Sequence, residues 1–357
     1  MTVDVGLIGL PRSGKTTVFN LLTHSKIEVN QFGGARAESR QALAPIPDSR
    51  LQWLSDLYHP KKVTAAQLSV VDVPGLSRSD TGGPNRFLND VRLVDALILV
   101  VRGFTNDLGE SATPLADLEE MELELMLSDL DLLEKRKDRI RTGKKVTREQ
   151  QDELAVVERL ADALENNQRL NQLNLDEDEL RWIRGYQFLT LKPVIWVVNL
   201  DESQFKAQNY QDSAAIAELA SSKEVPLVTM AAALEQEIEE LSDEDRAIFM
   251  EDLGAHDTGL ARVASAMYRK LGLISFLTAG EDEVRAWTIR KGTVAKQAAG
   301  KIHSDIERGF IRAEVVAFDD LVRANTMAKA RDLGLVRLEG KDYLMKDGDL
   351  VNFRFNV

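Results

Sequence analysis

Short runs of hydrophobic residues recur along the first two thirds of the chain and predict the framework of its fold. Runs that indicate buried strands occupy residues 3–8, 68–73, 96–101, 193–198 and 225–229. Each run is followed by polar or loop residues and then by apolar positions at helical spacing, a pattern typical of strands that alternate with helices. The chain is therefore predicted to have an α/β fold built on a doubly wound parallel sheet.

The spacing of these runs breaks between the third and the fourth, where roughly 90 residues intervene, far more than a crossover helix needs. Apolar residues return there at helical spacing in two series, Leu118, Met121, Leu125 and Leu132, and then Leu154, Val157, Ala161 and Leu164. A basic, glycine-containing break at residues 139–148 separates the two series. We therefore predict an inserted antiparallel helical hairpin over residues 112–188, called the helical arm from here on.

From about residue 273 the pattern changes to short candidate strands at residues 285–289, 313–316, 343–345 and 351–355. Turn sequences such as Glu339-Gly340-Lys341 and Asp347-Gly348-Asp349 separate them. A small mixed α+β domain is therefore predicted for residues 273–357. The sheet domain is then predicted to consist of residues 1–111 and 189–272, on either side of the helical arm.

Composition and charge restrict the function classes. The 357 residues include no cysteine, so disulfides, thiolate nucleophiles and cysteine-ligated metals are excluded. The net charge of −13 predicts that the molecule as a whole repels DNA and membrane surfaces, so any contact with a polyanion must be local. No stretch approaches the roughly 20 apolar residues that cross a bilayer, and the N-terminus lacks signal-peptide features. A cytoplasmic location without a membrane partner is therefore expected.

Residues 9–16 read G-L-P-R-S-G-K-T, a complete phosphate-binding loop between a predicted strand and a predicted helix. Its glycines let backbone N–H groups turn toward phosphate oxygens, and the following helix adds the positive end of its dipole. Lys15 is expected to reach the β- and γ-phosphates, and Thr16 is expected to offer its hydroxyl to Mg²⁺. The predicted nucleotide contacts in this region are Gly9, Pro11, Arg12, Ser13, Gly14, Lys15, Thr16 and Thr17.

A second motif, Asp72-Val73-Pro74-Gly75, follows the second hydrophobic run. Asp72 is predicted to join Thr16 in holding Mg²⁺, through a bound water, and the Gly75 N–H is predicted to sense the γ-phosphate. Leu76 comes next, where many nucleotide switches carry a water-orienting Gln, and an alkyl side chain forms no hydrogen bond to water. Hydrolysis is therefore expected to be slow or to recruit another group. The predicted catalytic residues are Lys15, Thr16, Asp72 and Gly75.

Base recognition is predicted from residues 199–202, which read N-L-D-E after the fourth run. Guanine-binding proteins usually show N-K-x-D, in which a short carboxylate accepts two hydrogen bonds from the base. Glu202 is one methylene longer, so its pairing with guanine should weaken and adenine becomes admissible. A simple loop cap is the alternative interpretation. The further predicted nucleotide-binding residues are Asn199, Leu200, Glu202 and Ala232.

Residues 285–312 carry seven basic side chains against two acidic ones, with Trp287, His303 and Phe310 interleaved. Such a strip suits irregular or single-stranded RNA, because the charges hold the backbone and the rings stack on bases. The alternative is that the rings belong to the core and the charges are a solvated surface. The candidate RNA- or ribosome-binding residues are Arg285, Arg290, Lys291, Lys296, Lys301, Arg308 and Arg312.

With these motifs in place, the whole chain resembles the Obg-like ATPase (YchF) family of translation-factor-class P-loop proteins. Residues 283–288, 297–303, 309–314, 339–343 and 347–349 and the closing F-N-V are similar to that family's β-grasp, TGS-type domain. The resemblance implies a P-loop NTPase domain with an inserted helical arm and a C-terminal TGS-like domain. It also implies a preference for ATP over GTP, association with ribosomes, an N-x-x-E base motif and an apolar residue at the position of Leu76.

The sequence departs from the family pattern at three places. Arg12 and Ser13 replace the Asn and Val that are common in the family's phosphate loop. Residues 32–36, which correspond to the first switch, read F-G-G-A-R and lack the Thr that closes on Mg²⁺. The loop after residues 102–104 lacks the His that family members often place there. A mechanism that relies on that Thr or that His is therefore not expected to carry over.

Together these features predict a Mg²⁺-dependent ATPase that converts ATP slowly to ADP and phosphate, binds GTP more weakly, and associates with the ribosome or its RNA. Catalysis would rest on positioning and electrostatics rather than on covalent chemistry. Two alternatives remain open. One is a nucleotide-sensing scaffold with negligible turnover, because the Gln, Thr and His are all missing. The other is a GTPase on the same fold.

Overall fold

The computed structural model describes residues 3–25, 40–73, 88, 91–143, 145–242, 244–246, 248 and 257–356. The chain divides into two compact units. The N-terminal unit comprises Met1–Leu43 and Ser69–Val263, and the C-terminal unit comprises Ala44–Leu68 and Ala264–Val357. Residues 44–68 therefore group with the C-terminal unit, a feature that the local sequence pattern did not indicate. The domain boundaries given above stay a prediction.

Strands and helices are numbered here in chain order among the described residues. The strands are β1 (Asp4–Gly9), β2 (Arg40–Pro45), β3 (Lys62–Thr64), β4 (Gln67–Asp72), β5 (Ala96–Arg102), β6 (Val194–Asn199), β7 (Leu227–Met230), β8 (Leu273–Ala279), β9 (Glu283–Arg290), β10 (Phe310–Ala317), β11 (Arg337–Glu339) and β12 (Asp349–Phe355). The helices are α1 (Lys15–Thr23), α2 (Ser49–Tyr58), α3 (Pro114–Arg141), α4 (Arg148–Glu165), α5 (Glu177–Ile183), α6 (Glu202–Ala207), α7 (Ser213–Ser222), α8 (Ala232–Glu239), α9 (Gly259–Lys270), α10 (Ala295–Ile302), α11 (Ser304–Arg308), α12 (Phe318–Ala324) and α13 (Met327–Asp332).

The sheet of the N-terminal unit has the strand order β2-β4-β1-β5-β6-β7. β1 pairs in parallel with β4 and β5, and β6 pairs in parallel with β5 and β7. The central strands consist almost wholly of buried aliphatic residues, as strands covered on both faces require. The predicted doubly wound parallel sheet is therefore confirmed, and the five predicted strands end within two residues of the observed ones.

The insertion between β5 and β6 contains the two predicted helices. α3 runs for 28 residues with Pro114 in its first turn, where a missing N–H costs nothing. α4 begins with a capping box, in which Thr147 and Gln150 each accept a hydrogen bond from the other's backbone N–H. The helices bury a common apolar cluster that includes Leu133, Val157 and Leu160. The inserted helical hairpin is therefore confirmed.

Asp129 of α3 anchors the helical arm to residues that precede β5 and β6. Its carboxylate is fully buried and accepts hydrogen bonds from Arg92 Nη1 (2.7 Å), from the Leu189 and Thr190 N–H groups (3.0 and 2.7 Å) and from the Thr190 hydroxyl (2.8 Å). A buried charge is tolerated only when its hydrogen-bonding capacity is filled, and here protein donors fill it. The base of the helical arm is therefore a saturated polar network.

A second buried carboxylate on α3 lies two helical turns earlier. Glu122 accepts two hydrogen bonds from Arg169 Nη1, each of 2.9 Å, and one of 3.3 Å from the indole N–H of Trp196 on β6. Both members of the ion pair are almost inaccessible to solvent. Because breaking one partner of a buried pair leaves an uncompensated charge, the ion pair is a strong constraint within the helical arm, and the Trp196 N–H links it to the sheet.

The C-terminal unit contains a mixed sheet with the order β11-β10-β12-β8-β9-β3. β10 is antiparallel to β11 and β12, β8 is antiparallel to β9, and the β12–β8 and β9–β3 pairs are parallel. One face packs with α10 around Phe276, Ile289, Ala298 and Phe353. The predicted mixed α+β class is confirmed, and the sheet contains an additional edge strand, β3, from residues 44–68.

The candidate strand at residues 343–345 is wrong. Only Leu344 forms a bridge, with Val294, and its side chain is 58% exposed. The Tyr343 N–H instead bonds to the Gly340 carbonyl in a turn, so the segment is too short to form a ladder. The continuous apolar run of β8, in contrast, forms a full strand that the pattern had not singled out.

Candidate functional site

The phosphate-binding loop lies between β1 and α1. β4 lies on one side of β1 in the sheet and β5 on the other, so β1 marks the point at which the strand order reverses. In open parallel sheets, ligands bind at this point beyond the carboxyl ends of the strands. The loops that follow β1, β5 and β6 consequently share the edge of the sheet where the sequence placed the nucleotide.

Close packing explains the two glycines of the phosphate-binding motif. A Cβ atom on Gly9 would lie 2.6 Å from Ser13 Oγ and 2.7 Å from the Val100 carbonyl oxygen. Gly14 has a left-handed backbone with φ of +80°, and a Cβ there would lie 2.1 Å from Asn199 Nδ2. All three distances are far below contact distance, so only glycine lets the loop curl this tightly against β5 and β6.

The loop leaves polar groups without protein partners. Ser13 Oγ is buried and accepts or donates no hydrogen bond among the residues described. Gly14 has no side chain to cap α1, and the first N–H groups of a helix have no partner within it. These donors, together with the first-turn residues Thr16 and Thr17, surround the place where a phosphate would be held.

Lys15 and Asp72 meet although 57 residues separate them. Lys15 Nζ donates to the Asp72 carboxylate and to the Val73 carbonyl oxygen (2.6 Å), and both charged side chains are about 90% buried. The structure thus brings together the lysine of the first motif and the carboxylate of the second. Gly75 and Leu76, as well as residues 32–36, lie outside the described residues.

Mg²⁺ fits the donors of this region. Thr16 and Asp72 offer a hydroxyl and a carboxylate, the hard oxygen ligands that Mg²⁺ prefers. Within the described ranges, no group of three or more His, Asp or Glu side chains is arranged to hold a metal ion. Mg²⁺ would therefore need phosphate oxygens and water to complete its six ligands, as it does in most nucleotide sites.

Asn199 ties the phosphate loop to two further elements. Its Nδ2 donates to the Ser13 carbonyl oxygen (3.2 Å), and its Oδ1 accepts from the Ala232 N–H (3.0 Å) at the start of α8. The side chain is buried, so the two bonds are shielded from water. Asn199, and through it Ala232, is therefore placed beside the phosphate loop, while the predicted contact of both residues with the nucleotide stays a prediction.

The rest of the N-x-x-E motif has other contacts. Leu200 is buried in the core of the sheet domain. Asp201 caps α6 by accepting from the Gln204 N–H (2.9 Å), which is the loop cap of the alternative interpretation. Glu202 is half exposed and forms an ion pair with Lys206 (2.9 Å) one turn along the helix. The structure does not bring Glu202 together with the phosphate loop.

Sequence reasoning missed Glu110, which lies in the loop that follows β5. Arg102 Nη1 donates to the carbonyl oxygens of Phe104 (3.1 Å) and Glu110 (2.7 Å), and the Glu110 carboxylate lies 3.8 Å from Arg12 Nη1 in the phosphate loop. No local motif marks Glu110.

The basic strip of the C-terminal unit does not form a single row. The Arg285 guanidinium stacks 3.9 Å above the Trp287 ring, and Arg308 forms an ion pair with Asp305. Trp287 and Phe310 pack against the core, as the alternative interpretation held. The exposed members of the strip lie at the end of β9, directly after it, or on α10, α11 and β10: Arg290, Lys291, Lys296, Lys301, Arg308 and Arg312.

The Asp347-Gly348-Asp349 motif has a structural role. Asp347 accepts from the Ser275 N–H and pairs with Arg50 of α2, each at 2.8 Å. Asp349 is buried and accepts from the Lys346 N–H (2.9 Å) and the Tyr343 hydroxyl (3.0 Å). Burial raises the pKa of Asp349 above its usual range, although these hydrogen bonds oppose the shift.

The sheet order, the curled phosphate loop and the Lys15–Asp72 contact define a P-loop nucleotide-binding protein. Models of two protein families match the chain: one described as "50S ribosome-binding GTPase" over residues 4–140, and YchF-GTPase_C, described as "Protein of unknown function", over residues 273–356. The chain belongs to the YchF family, because curated members of that family match it over its full length.

Two curated relatives and one solved structure illustrate the similarity. The "Ribosome-binding ATPase YchF" of Haemophilus ducreyi is 40% identical and that of Bacillus subtilis 37% identical, each over 100% of both chains. The structure of the Schizosaccharomyces pombe YchF GTPase superposes with a TM-score of 0.85 at 31% identity, covering 99% of this chain and 98% of that one. Of the helices described, none combines the length and apolar character that a bilayer crossing requires.

Proposed function

We propose that this protein is a Mg²⁺-dependent, ribosome-associated ATPase of the cytoplasm that hydrolyses ATP slowly to ADP and phosphate. One observation carries the proposal. The phosphate loop, Lys15 and Asp72 converge at the switch point of the sheet in a chain that matches relatives named "Ribosome-binding ATPase YchF" along its full length.

In this proposal, each residue of the phosphate site has a separate task. The backbone N–H groups from Gly14 to Thr17 hold the phosphate chain at the positive end of α1. To bind the β- and γ-phosphates, Lys15 uses its third ammonium proton, which the contacts with Asp72 and Val73 leave available, and gives up part of its contact with Asp72. Mg²⁺, held by Thr16 and through water by Asp72, would neutralise phosphate charge, while the Gly75 N–H senses the γ-phosphate.

Slow turnover follows from the side chains available. Leu76 cannot orient a water molecule, and no described residue is assigned as a general base. Catalysis then rests on holding the phosphates in position and on fixed positive charge. A nucleotide-sensing scaffold with negligible turnover is the second candidate, favoured by the same Leu76. Single-turnover kinetics with and without ribosomes separates the two, because acceleration by ribosomes requires an enzyme.

The preference for ATP over GTP is part of the proposal and has two supports. Glu202 replaces the shorter carboxylate of guanine-binding motifs, and Leu200 is buried in the core rather than available to the base. Because Glu202 pairs with Lys206 on the surface of α6, reading the base would require it to leave that partner. Asn199 and Ala232 already lie beside the phosphate loop and complete the proposed base contacts.

Calorimetric titration with ATP, ADP, GTP and GDP, with and without Mg²⁺, tests these points. We expect Mg-ATP to bind at least tenfold more tightly than Mg-GTP, a difference of about 1.4 kcal/mol. Lys15→Met should abolish measurable affinity for all four, whereas Lys135→Met, on an exposed face of α3, should leave it unchanged. Equal or tighter binding of GTP contradicts the ATP preference and favours a GTPase.

The ribosomal partner is assigned to the exposed basic side chains of the C-terminal unit. Cosedimentation of Arg290→Glu/Lys291→Glu with ribosomes should be weaker than that of the wild type and less dependent on salt, because phosphate contacts release counterions. Lys61→Glu/Lys62→Glu is the matched control, since it makes the same charge change in the same unit at lysines that already pair with acids. Equal losses in both double variants contradict a specific role for the strip.

A further inference from the structure

The loop that follows β5 has a defined structure between residues 103 and 111. Asn106 Oδ1 accepts hydrogen bonds from the N–H groups of Leu108 (3.1 Å) and Glu110 (3.0 Å), and the Asn106 N–H donates to the Glu110 carbonyl oxygen (3.2 Å). Arg102 Nη1 donates to that same carbonyl oxygen from the other side, at 2.7 Å. The backbone of Glu110 is therefore fixed from two directions.

The side chain of Glu110 is also held in place. Its Oε2 accepts a hydrogen bond of 2.6 Å from Asn106 Nδ2 and lies 3.8 Å from Arg12 Nη1. Arg12 has a left-handed backbone with φ of +65°, an uncommon conformation for a residue with a side chain. Because β1 and β5 are neighbours in the sheet, the loop of Glu110 lies directly beside the phosphate loop.

The Arg12–Glu110 ion pair contributes little to stability, and Arg12 can exchange it for a contact with a ligand. More than half of each side chain is exposed, and exposed ion pairs contribute little to stability. If Arg12 moves away, Glu110 keeps its hydrogen bond to Asn106, so no buried charge is left without a partner. A guanidinium bonds to phosphate with two parallel N–H groups, and such charge-assisted bonds are stronger than a single contact to a carboxylate at 3.8 Å.

We propose that Arg12 distinguishes a nucleoside triphosphate from a diphosphate, and that Glu110 is the positioning residue that holds Arg12 until a terminal phosphate takes it. The inference rests on the proposed function, since it requires a nucleotide in the loop. Ser13 and Lys15 are buried while the Arg12 side chain is more than half exposed, so its guanidinium can turn to the outermost phosphate in addition to the contact of Lys15. A diphosphate lacks that group and leaves the pair intact.

The test compares affinities for ATP and ADP, both with Mg²⁺, in four variants. Arg12→Ala should lower the affinity for ATP about tenfold and that for ADP less than twofold. Glu110→Gln keeps the acceptor for Asn106 but removes the competing charge, so ATP should bind several-fold more tightly and ADP equally well. The double variant should match Arg12→Ala, because Glu110 acts through Arg12. Arg159→Ala, an exposed arginine of the helical arm, is the matched control.

Two results overturn this inference while leaving the proposed function intact. One is an unchanged ATP-to-ADP affinity ratio in Arg12→Ala, and the other is weaker ATP binding in Glu110→Gln. Failure of the wild type to bind any nucleotide overturns the proposed function and this inference together. Arg12→Lys provides a further check, because a point charge cannot form the paired bonds and should restore only part of the ATP preference.

Discussion

The two ends of the N-terminal sheet treat polar groups in opposite ways. Before β5 and β6, the Asp129 carboxylate receives four hydrogen bonds from protein donors and is fully buried. Beyond the carboxyl ends of β1 and β5, Ser13 Oγ has no partner among the described residues and Lys15 uses only two of its three protons. The polar groups around Asp129 are therefore satisfied without a ligand, whereas those of the phosphate site include hydrogen-bond donors that a ligand can use.

This difference separates polar groups that hold the fold from those that bind a ligand. A buried charge whose partners are all protein groups has no capacity left for another molecule. Buried donors that have no acceptor are energetically unfavourable, and a bound phosphate that accepts their hydrogen bonds removes this penalty. The comparison predicts that substitutions at the two ends will have different effects. Substitutions near Asp129 should lower the free energy of unfolding, whereas substitutions in the phosphate site should change how much a bound nucleotide raises it.

The largest effect is expected from Asp129→Ala. The substitution leaves the Arg92 guanidinium and the Leu189 and Thr190 N–H groups without their acceptor in a buried place. The free energy of unfolding should fall by about 3–5 kcal/mol, the usual result when one partner of a buried pair is removed. Urea denaturation followed by circular dichroism measures it. Glu158→Ala, which removes an exposed ion pair on α4, should cost below about 1 kcal/mol. Similar losses in both would contradict a special role for the network.

A smaller effect is expected at the other end of the sheet. Mg-ATP at about 100 times its dissociation constant should raise the free energy of unfolding of the wild type by about 2.7 kcal/mol. Lys15→Met should remove this increase, because the variant cannot neutralise the phosphate charge. Thermal denaturation over a series of nucleotide concentrations measures the linkage. If the variant gains as much from nucleotide as the wild type, the site lies elsewhere.

The smallest effect concerns a third buried carboxylate, Asp349 in the C-terminal unit. Because burial raises its pKa in the folded state, the native protein binds this proton more tightly than the unfolded chain. Its stabilising contribution is therefore complete below the unfolded-state pKa and is lost as pH rises through the folded-state pKa.

Asp349→Asn keeps an acceptor for Tyr343 and Lys346 but does not titrate. The denaturation midpoint of the wild type should therefore fall slightly more between pH 4 and 7 than that of the variant. Asp332→Asn, at an exposed position of α13, should retain the wild-type pH dependence. Identical pH profiles for the wild type and Asp349→Asn would show that the burial of this carboxyl group does not contribute.

Local sequence patterns predicted those features whose causes are local. The aliphatic runs of β1, β5 and β6 identify buried strands by themselves, and the phosphate loop is recognisable because its glycines and Lys15 are close in sequence. These predictions needed no knowledge of which distant residue would be adjacent.

The features that were missed depend on distant partners. β3 has three residues and pairs with β9 some 220 positions later, so no periodicity near Val63 could indicate its sheet. Glu110 became recognisable only when the ordered loop placed its carboxylate beside Arg12. Glu202 is a different case, because its ion pair with Lys206 is a local contact one turn along the helix that it begins, and its role at the base stays a prediction. Sequence reasoning fails where tertiary contacts decide orientation.

The assignment of residues 44–68 to the C-terminal unit has a consequence for synthesis of the chain. This segment lies in sequence between Lys15 and Asp72, yet its β3 strand pairs with β9 and its buried Leu51 and Leu54 belong to the unit that the ribosome makes last. Residues 62–64, which lie between the two halves of the phosphate site, therefore cannot pair in their sheet until β9 has been synthesised. Deleting residues 264–357 would remove the strand with which β3 pairs and leave residues 44–68 without the rest of their unit.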